Sequence, residues 1–372
     1  MLFKDVIGQE AIKVQLVQSV TRERISHAQL FYGKEGLGKL PLAIAYAQFI
    51  FCKNKMDYDS CGVCPSCLKI KGLTHPDLHF SFPVQILGNN KTSNKFLTEW
   101  REMMVENPYS TESDWYKKNG NEKKKGIISA EESGNILKNL SNKSFEGGYK
   151  IHIIWLAENM NIASANKLLK LIEEPTKKTL IILLVEEIEA ILPTITSRTQ
   201  RVNLQNITEQ EIQEALIEKK QVSSEKAIGI ASFVNGSYSQ ALEQIDNNKD
   251  NNLHFNLFVD WMRLCFKKDI AGAISFSNTI HALGKEKQKT FLLFTLSIFQ
   301  KSLTGNFTGI ENIKISPAYK DFIQKFMPFV HSKNMEELHQ QMSDAHYHIE
   351  RNANAKILFL DLSFILFRLI KK

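Results

Sequence analysis

The stretch Gly33-Lys34-Glu35-Gly36-Leu37-Gly38-Lys39-Leu40 decides the fold of this chain of 372 residues. A short apolar run, 29–32, precedes it and a segment with helical periodicity, 41–51, follows it, so the predicted order is strand, loop and helix. Glycines allow backbone N–H groups to face a phosphate, and a lysine adds positive charge at the start of a helix. The pattern predicts a phosphate-binding loop whose ligand groups are Gly33, Gly36, Gly38 and Lys39.

This loop lacks groups that ATP hydrolysis needs. The residue after the lysine is normally Ser or Thr, whose hydroxyl holds Mg²⁺, and here it is Leu40. A later apolar strand normally ends in two acids that hold Mg²⁺ and polarise the attacking water, but Trp155 and Leu156 occupy those positions. Glu158 lies two residues further on and is interpreted as a solvated or capping acid. We therefore expect no hydrolysis, and whether ATP or ADP still binds stays open.

Four of the five cysteines lie within sixteen residues. In a reducing cytosol such a cluster indicates a metal site rather than disulfides. The short spacings favour one tetrahedral Zn²⁺ over free thiols in a lysine-rich loop, and four thiolates leave no open coordination position, so the ion is structural. The predicted ligands are Cys52, Cys61, Cys64 and Cys67. The fifth, Cys265, is predicted to be a buried core residue.

Composition and charge set broad limits. The N-terminus, MLFKDVIGQE, has no basic start followed by an apolar core, so it does not read as a signal peptide. The apolar run 357–370 is interrupted by Asp361 and Arg368 and is shorter than the roughly 20 residues of a membrane span. We therefore expect a cytoplasmic protein without a membrane partner. The net charge of +7 and the pI near 8.9 fit a nucleic-acid partner and an ordinary surface equally well.

The pattern of apolar segments predicts three domains. Up to residue 205, apolar runs alternate with helical periodicity, which predicts an α/β domain with a parallel sheet. Residues 206–246 predict a small helical domain that begins with a capping box at Thr208 and Glu211, and the polar run 246–252 predicts a linker. Residues 253–372 predict an all-helical bundle. Within the first domain, strands are predicted at 29–32, 78–82, 150–156, 180–185 and 200–204, and helices at 9–21, 41–51, 130–140 and 162–172.

The segment 83–126 breaks this pattern. It contains the polar run 88–91, the lysine-rich run 117–125 and four aromatic residues among the charges. Lysines mixed with aromatics are able to follow a nucleic-acid backbone and stack on bases. A solvated or partly disordered insertion is the reading that we favour for such a lysine run. The aromatic residues are Trp100, Tyr109, Trp115 and Tyr116.

The assembled motifs resemble the clamp-loader branch of the AAA+ ATPases. The residues that carry the resemblance span about the first 200 positions. They are Asp5-Val6-Ile7-Gly8-Gln9, His27-Ala28-Gln29-Leu30-Phe31 leading into the glycine loop, the four-cysteine insertion, 165–175 (ANKLLKLIEEP), and Leu192-Pro193-Thr194 running into Ser197-Arg198. The resemblance implies a AAA+ module, a helical lid and a C-terminal collar that joins a ring of five subunits.

The resemblance also implies a division of labour among subunits. The gamma/tau subunits of the family are its working ATPases, and this chain departs from them at Leu40, Trp155 and Leu156 and has Ser239 where an ATPase places its sensing arginine. The family's arginine finger maps to Arg198. The resemblance implies a non-hydrolysing stator that supplies Arg198 to a neighbouring gamma/tau subunit. The implied partners are the gamma/tau and delta subunits, the sliding clamp and primed DNA in replication at the nucleoid.

Two other functions stay open at this stage. The first is an active AAA+ ATPase of the gamma/tau type, which would hydrolyse ATP without other subunits. The residues at positions 40 and 155, Leu40 and Trp155, argue against it because they cannot hold Mg²⁺ or polarise water. A zinc-containing DNA-binding module would use the cysteine cluster and the lysine-rich run as its reading surface, and its DNA binding would be sensitive to salt.

Overall fold

The computed structural model describes residues 1–85, 92–120, 125–246, 248–313 and 317–370. The chain divides into two compact units. Unit 1 comprises Met1–Glu211 and Gly236–Ser239, and unit 2 comprises Ile212–Asn235 and Gln240–Lys372. The predicted lid, 206–246, therefore contributes residues to both units, and its role as a separate domain stays a prediction.

Unit 1 is built on a five-stranded sheet in which every pairing is parallel. The strand order is β2–β3–β4–β1–β5. The predicted parallel α/β fold is confirmed, and each predicted strand is present to within one residue at either end. The strands are β1 Ala28–Tyr32, β2 Leu78–Ser81, β3 Lys150–Trp155, β4 Thr179–Val185 and β5 Gln200–Asn203.

The sheet is buried on both faces because alternate side chains of its strands enter two different cores. Along β4, Leu180, Ile182 and Leu184 belong to one core. Ile181, Leu183 and Val185 belong to the other. This explains why β4 reads as a continuous apolar run in the sequence rather than an alternating one.

Helices cover both faces of the sheet. At α6, the hydroxyl of Ser129 accepts a hydrogen bond from the backbone N–H of Glu132, and at α7 the side chain of Asn161 accepts one from Ser164. α7 ends two residues before Pro175, as predicted. The helices of this region are α1 Glu10–Thr21, α2 Lys39–Phe51, α3 Pro65–Lys71, α4 Leu97–Glu106, α5 Glu112–Lys118, α6 Ala130–Ser141, α7 Ile162–Glu173 and α8 Pro193–Thr196.

The preference for a solvated or disordered insertion at 83–126 is wrong for the part that the structure describes. α4 and α5 carry Trp100 and Trp115 into the core of unit 1, where both are fully buried. Trp100 stacks on Phe82 at 4.8 Å, and the indole of Trp115 donates a hydrogen bond of 2.9 Å to the carbonyl of Pro83. These aromatics therefore serve packing rather than base stacking. Residues 86–91 and 121–124, which include most of the two polar runs, lie outside the described residues.

The rest of the chain is helical among the residues described. The capping box at Thr208 is confirmed, because Glu211 accepts hydrogen bonds from Thr208 and donates one to it. The predicted linker 246–252 is wrong, since 248–252 form the first turns of a long helix. The helices are α9 Glu209–Lys220, α10 Ser224–Ala231, α11 Tyr238–Asp246, α12 Asn248–Lys267, α13 Ile270–Ala282, α14 Lys285–Thr308, α15 Pro317–Phe326, α16 Ser332–Glu350 and α17 Ala355–Leu369.

Unit 2 has its own aromatic core, as predicted for the C-terminal bundle. Phe291 and Phe299 are fully buried there, and the indole of Trp261 donates a 2.8 Å hydrogen bond to Ser363. Cys265 is also fully buried in this core, which confirms its predicted structural place. Among the described residues, no helix has both the length and the apolar character needed to cross a bilayer.

Candidate nucleotide pocket and metal centre

The phosphate-type loop joins β1 to α2, as predicted, and two of its glycines are required by the geometry. Gly38 precedes α2 with φ of +86°, and Gly36 has φ of +82°, a region that L side chains rarely adopt. A Cβ at Gly36 would lie 2.0 Å from the hydroxyl oxygen of Ser237. The segment 236–239 therefore rests directly on the loop, and the N–H of Tyr238 donates a 3.0 Å hydrogen bond to the Gly36 carbonyl.

The lysine of the loop is engaged by its own chain. Lys39 is 7% exposed, and its Nζ donates hydrogen bonds to the carbonyls of Gly33 and Lys34, the latter at 2.7 Å. Its Nζ also lies 3.5 Å from Oε1 of Glu186, which directly follows β4. Glu186 thus supplies the negative charge that a bound phosphate would supply. Glu186 is absent from the predicted site residues, although its place at the carboxyl end of the neighbouring strand is a usable signal.

Tyr109 covers the loop from the other side. Its ring would lie 3.1 Å from a Cβ at Gly38, and it packs edge-on against Tyr238 with ring centroids 4.9 Å apart. Its hydroxyl accepts a 2.9 Å hydrogen bond from the N–H of Ile7, and burial raises its pKa, so the phenol is neutral. Nothing in the local sequence around Tyr109 signals this contact, because it joins residues 102 positions apart.

The two departures from hydrolytic machinery lie on the same cleft. Leu40 and Trp155 both line it, and they are 4% and 5% exposed. The cleft leaves about 30 Å³ to the centres of water molecules. One water needs about 10–15 Å³ by this measure, so with its side chains as they stand this partly open cleft has room for two or three waters. Its wall is completed by Tyr109, Glu186 and residues of the loop.

Glu158 is not a solvated acid, so that part of the prediction is wrong. Its Oε1 accepts a 2.8 Å hydrogen bond from the N–H of Glu186, whereas its Oε2 is buried and has no hydrogen-bond partner among the described residues. Desolvation, together with the nearby charge of Glu186, raises the pKa of Glu158 to about 7. Burial thus favours the neutral form of this carboxyl, whereas Mg²⁺ binds the charged form.

Arg198 lies on the surface between α8 and the edge strand β5. Its side chain is 42% exposed. Its Nε donates a 2.7 Å hydrogen bond to Glu173, and its Nη1 donates to the carbonyl of Thr194 at 3.1 Å. Arg198 is not among the residues that line the cleft of its own loop. Contacts with Glu173 and Thr194 therefore orient the guanidinium, and another protein can still reach it from the solvent.

The four predicted cysteine ligands come together in space. Their sulfur atoms all lie within 4.8 Å of one another, and those of Cys52 and Cys61 are 3.6 Å apart. A tetrahedral Zn²⁺ with Zn–S bonds of about 2.3 Å separates its sulfurs by about 3.8 Å. The cluster can therefore hold a metal ion with little movement. Since all four ligands are cysteine thiols, the donor set suits a soft or borderline ion such as Zn²⁺.

Backbone N–H groups stabilise the charged form of two of these sulfurs, those of Cys61 and Cys64. The N–H of Cys61 donates to the sulfur of Cys52 at 3.3 Å, and that of Cys64 donates to the sulfur of Cys61 at 3.4 Å. Desolvation opposes ionisation of Cys64, but N–H groups of Cys67 and Lys53 and the neighbouring thiols outweigh it and lower its pKa to about 6. Burial raises the pKa of Cys52 and Cys67, whereas hydrogen bonds lower that of Cys61. Thiolates are the form that binds metal, so an ion would bind with release of protons from the buried thiols.

The family of the chain follows from a comparison with known proteins. The model of the family described as DNA polymerase III, delta subunit matches residues 8–208, which is more than half of the chain. The chain belongs to this family. The resemblance to clamp-loader subunits that the sequence motifs indicated is thereby confirmed, and the matched segment includes the glycine loop, the four cysteines and Arg198.

Individual relatives of this DNA polymerase III family member are similar at low identity. Subunit delta' of Bacillus subtilis is 30% identical over 63% of this chain and 58% of its own length. Subunit tau of the same organism is 28% identical over 66% of this chain and 37% of its own length. A gamma subunit-related protein of Thermotoga maritima has a solved structure with 13% identity and a TM-score of 0.37, covering 96% of this chain and 99% of that one. The chain thus spans little more than half of the B. subtilis delta' subunit.

Proposed function

We propose that this chain is the non-hydrolysing, delta-prime-type stator of a bacterial clamp loader. The observation that carries the proposal is the occupied phosphate loop, in which Lys39 is paired with Glu186 and the ring of Tyr109 lies against Gly38. Leu40 and Trp155 occupy positions where hydrolysis needs a hydroxyl and a carboxylate. In an ATPase ring, a subunit with such a pocket would act as a structural support and would supply side chains to the ATP site of a neighbouring subunit.

What it offers, in this proposal, is Arg198. The side chain is exposed next to the edge strand β5 and pairs with Glu173. An arginine supplied in trans stabilises the charge that develops on the transferred phosphoryl group. We infer that Arg198 completes the ATP site of an adjacent gamma/tau subunit, within a cytoplasmic ring of gamma/tau and delta that loads the sliding clamp on primed DNA.

The zinc ion, in this proposal, is structural. Cys52, Cys61, Cys64 and Cys67 would hold it, and four protein thiolates leave no position for water or substrate. The bound ion would hold the segment 52–71 in place on the AAA+ module. The ion takes no part in phosphoryl transfer.

Reconstitution tests the proposed function. The chain should be mixed with the gamma/tau and delta subunits, the sliding clamp and primed DNA of its own organism. We expect no ATP turnover by the isolated chain with Mg²⁺, and loss of clamp loading when the chain alone is left out. ATP turnover by the isolated chain would identify a motor of the gamma/tau type. Unchanged clamp loading without the chain would remove it from the loader.

Opening the loop is expected to restore nucleotide binding without hydrolysis. In the double variant Tyr109→Ala, Glu186→Gln, the ring over Gly38 and the counter-ion of Lys39 are both gone, so Lys39 is available to a phosphate. We expect binding of fluorescent ADP in the micromolar range by the variant and none by the natural chain. Turnover stays absent because Leu40 and Trp155 remain.

The matched control for this variant is Tyr109→Phe. It keeps the ring against Gly38 and loses only the hydrogen bond from Ile7, so the pocket stays closed. Binding of ADP by the natural chain at the affinity of the double variant would show that Tyr109 and Glu186 do not close the loop.

A further inference from the structure

Exposed apolar side chains are concentrated on the cysteine module, residues 52–71. Val63 is 74% exposed and Leu68 is 57% exposed. Phe145, in a loop beside the module, is 81% exposed, which is the highest value among the large apolar side chains described. Single exposed apolar residues are ordinary, but a group of them on a small rigid element indicates an interaction site.

Val63 and Leu68 lie on either side of the start of α3. Cys64 is the N-cap of α3, so Val63 precedes the cap and Leu68 is the fourth residue of the helix. This spacing across a helix start brings two apolar side chains within reach of each other, and here both are largely exposed. Here the pair lies on the outside of the metal module, and Lys71 follows Leu68 on the same helix face at a spacing of three.

The loop 142–149 is pinned beside the same helix. Asp77 accepts hydrogen bonds from the N–H groups of Phe145 and Glu146, at 2.7 and 2.9 Å. Glu146 in turn accepts hydrogen bonds from Lys69 at 2.6 Å and from Ser66 at 3.2 Å, both on α3. Phe145 is therefore held next to the helix that carries Leu68, although its own ring is left in solvent.

The charge around these residues is positive. The module and the loop 142–149 carry five lysines against Asp57, Asp59 and Glu146. Glu146 is paired with Lys53 and Lys69, so Lys55, Lys71 and Lys143 account for the excess of positive charge. Lys69 lowers the pKa of Glu146, so that carboxyl is charged and already paired. A ligand that complements this surface carries apolar side chains and negative charge. The exposed lysines are Lys53, Lys55, Lys69, Lys71 and Lys143.

We propose that Val63, Leu68 and Phe145, the docking surface, bind an acidic segment of a partner protein that also carries apolar side chains. Two of the three residues are aliphatic, which suits apolar side chains of a protein better than nucleic-acid bases, since bases stack on aromatic faces. The surface uses neither the phosphate loop nor Arg198. The inference therefore stands or falls independently of the proposed role in ATP hydrolysis.

Photo-crosslinking tests the docking surface in the full chain. The variant Phe145→p-benzoylphenylalanine should be expressed in the native cell, irradiated, and the captured segment sequenced by mass spectrometry. We expect a protein segment with an excess of Asp and Glu and at least two large apolar residues. Capture of nucleic acid, capture of basic segments, or no capture at all would overturn the proposal.

A binding measurement decides whether the captured segment uses this surface. The segment should be synthesised with a fluorescent label and titrated with the natural chain and with the double variant Val63→Ser, Leu68→Ser. We expect the variant to bind at least about tenfold more weakly, a typical loss for truncated contact residues. The control is Ile162→Ser, which removes a side chain that is 70% exposed on α7.

The outcomes of the titration separate docking from misfolding. Equal metal content and equal thermal unfolding of all three proteins are expected, because every substituted side chain is exposed. Raised salt should weaken binding by the natural chain, since the lysine rim contributes. Equal affinities of the natural chain and the double variant would show that the segment binds elsewhere and would overturn the proposal.

Discussion

The Arg198→Ala variant is expected to lower ATP turnover at the neighbouring site by about 10³ to 10⁵, the range known for arginines supplied in trans. Such a factor corresponds to about 4–7 kcal/mol of transition-state stabilisation, at about 1.4 kcal/mol for each tenfold change. The measurement is the steady-state ATPase rate of the reconstituted assembly with clamp and primed DNA. ATP sites whose arginine comes from another subunit are expected to keep the turnover rate that they have in the natural assembly.

The same substitution should leave the fold intact. Arg198 is 42% exposed and its partner Glu173 is 48% exposed. Exposed ion pairs contribute about 0.2–1 kcal/mol to stability. We therefore expect the free energy of unfolding of the isolated chain to change by about 1 kcal/mol or less, so a large loss of turnover cannot be assigned to unfolding.

Two further variants separate charge from position. Glu173→Gln removes the ion pair but keeps the arginine, and releasing the guanidinium requires less than about 1 kcal/mol, so turnover should remain close to that of the natural assembly. Arg198→Lys keeps the charge but loses the planar fork that grips phosphate oxygens, and we expect it to recover only a small part of the rate. Full turnover with Arg198→Ala would exclude the proposed role.

The parallel sheet could be predicted from the sequence because its signals are local. Runs such as Leu180–Val185 are continuous and apolar, and the proline at 175 marks the end of α7. The glycine loop carries its own signature, and Gly36 and Gly38 do adopt the positive φ values that the prediction needs. The four cysteines were found for the same reason, since their short spacing constrains where their sulfur atoms lie.

The closing of the pocket could not be predicted in this way. Tyr109 meets Ile7 and Gly38 through tertiary packing of an inserted segment, and no period or spacing encodes that contact. The prediction of a solvated or disordered insertion at 83–126 relied on its lysines, although the same segment also has the spacing of an amphipathic helix. Trp100, Met103 and Met104 stand at the spacing of one helix face, and Thr111 with Asp114 forms a capping box.

Removal of the metal is expected to have the second large effect. Zinc held by cysteine ligands in small domains contributes apparent free energies of about 10–16 kcal/mol at pH 7. Among the described residues, the buried cluster at this point consists of Cys52, Cys64 and Cys67 with Cys61 beside them, so a bound metal would take the place of an apolar core. We expect about one Zn²⁺ per chain by elemental analysis, and loss of the ion in the Cys61→Ser, Cys64→Ser variant.

The loss should be local, and hydrogen exchange measures where it occurs. Without metal, the amides of 52–71 should exchange rapidly, together with those of Phe3 and Lys4, whose N–H groups donate to Asp59 of the module at 3.0 and 3.1 Å. The strands β3 and β4 should stay protected, because their side chains are buried in the two cores of the sheet.

The matched control removes a thiol that lies outside the cluster. Cys265→Ala leaves a cavity in the core of unit 2 and is expected to lower stability modestly, but to leave the zinc content unchanged. If instead the double cysteine variant exchanged at 52–71 like the natural protein, the module would be held by its packing alone. In that case the four sulfurs, although within 4.8 Å of one another, would not stabilise the fold through a metal ion.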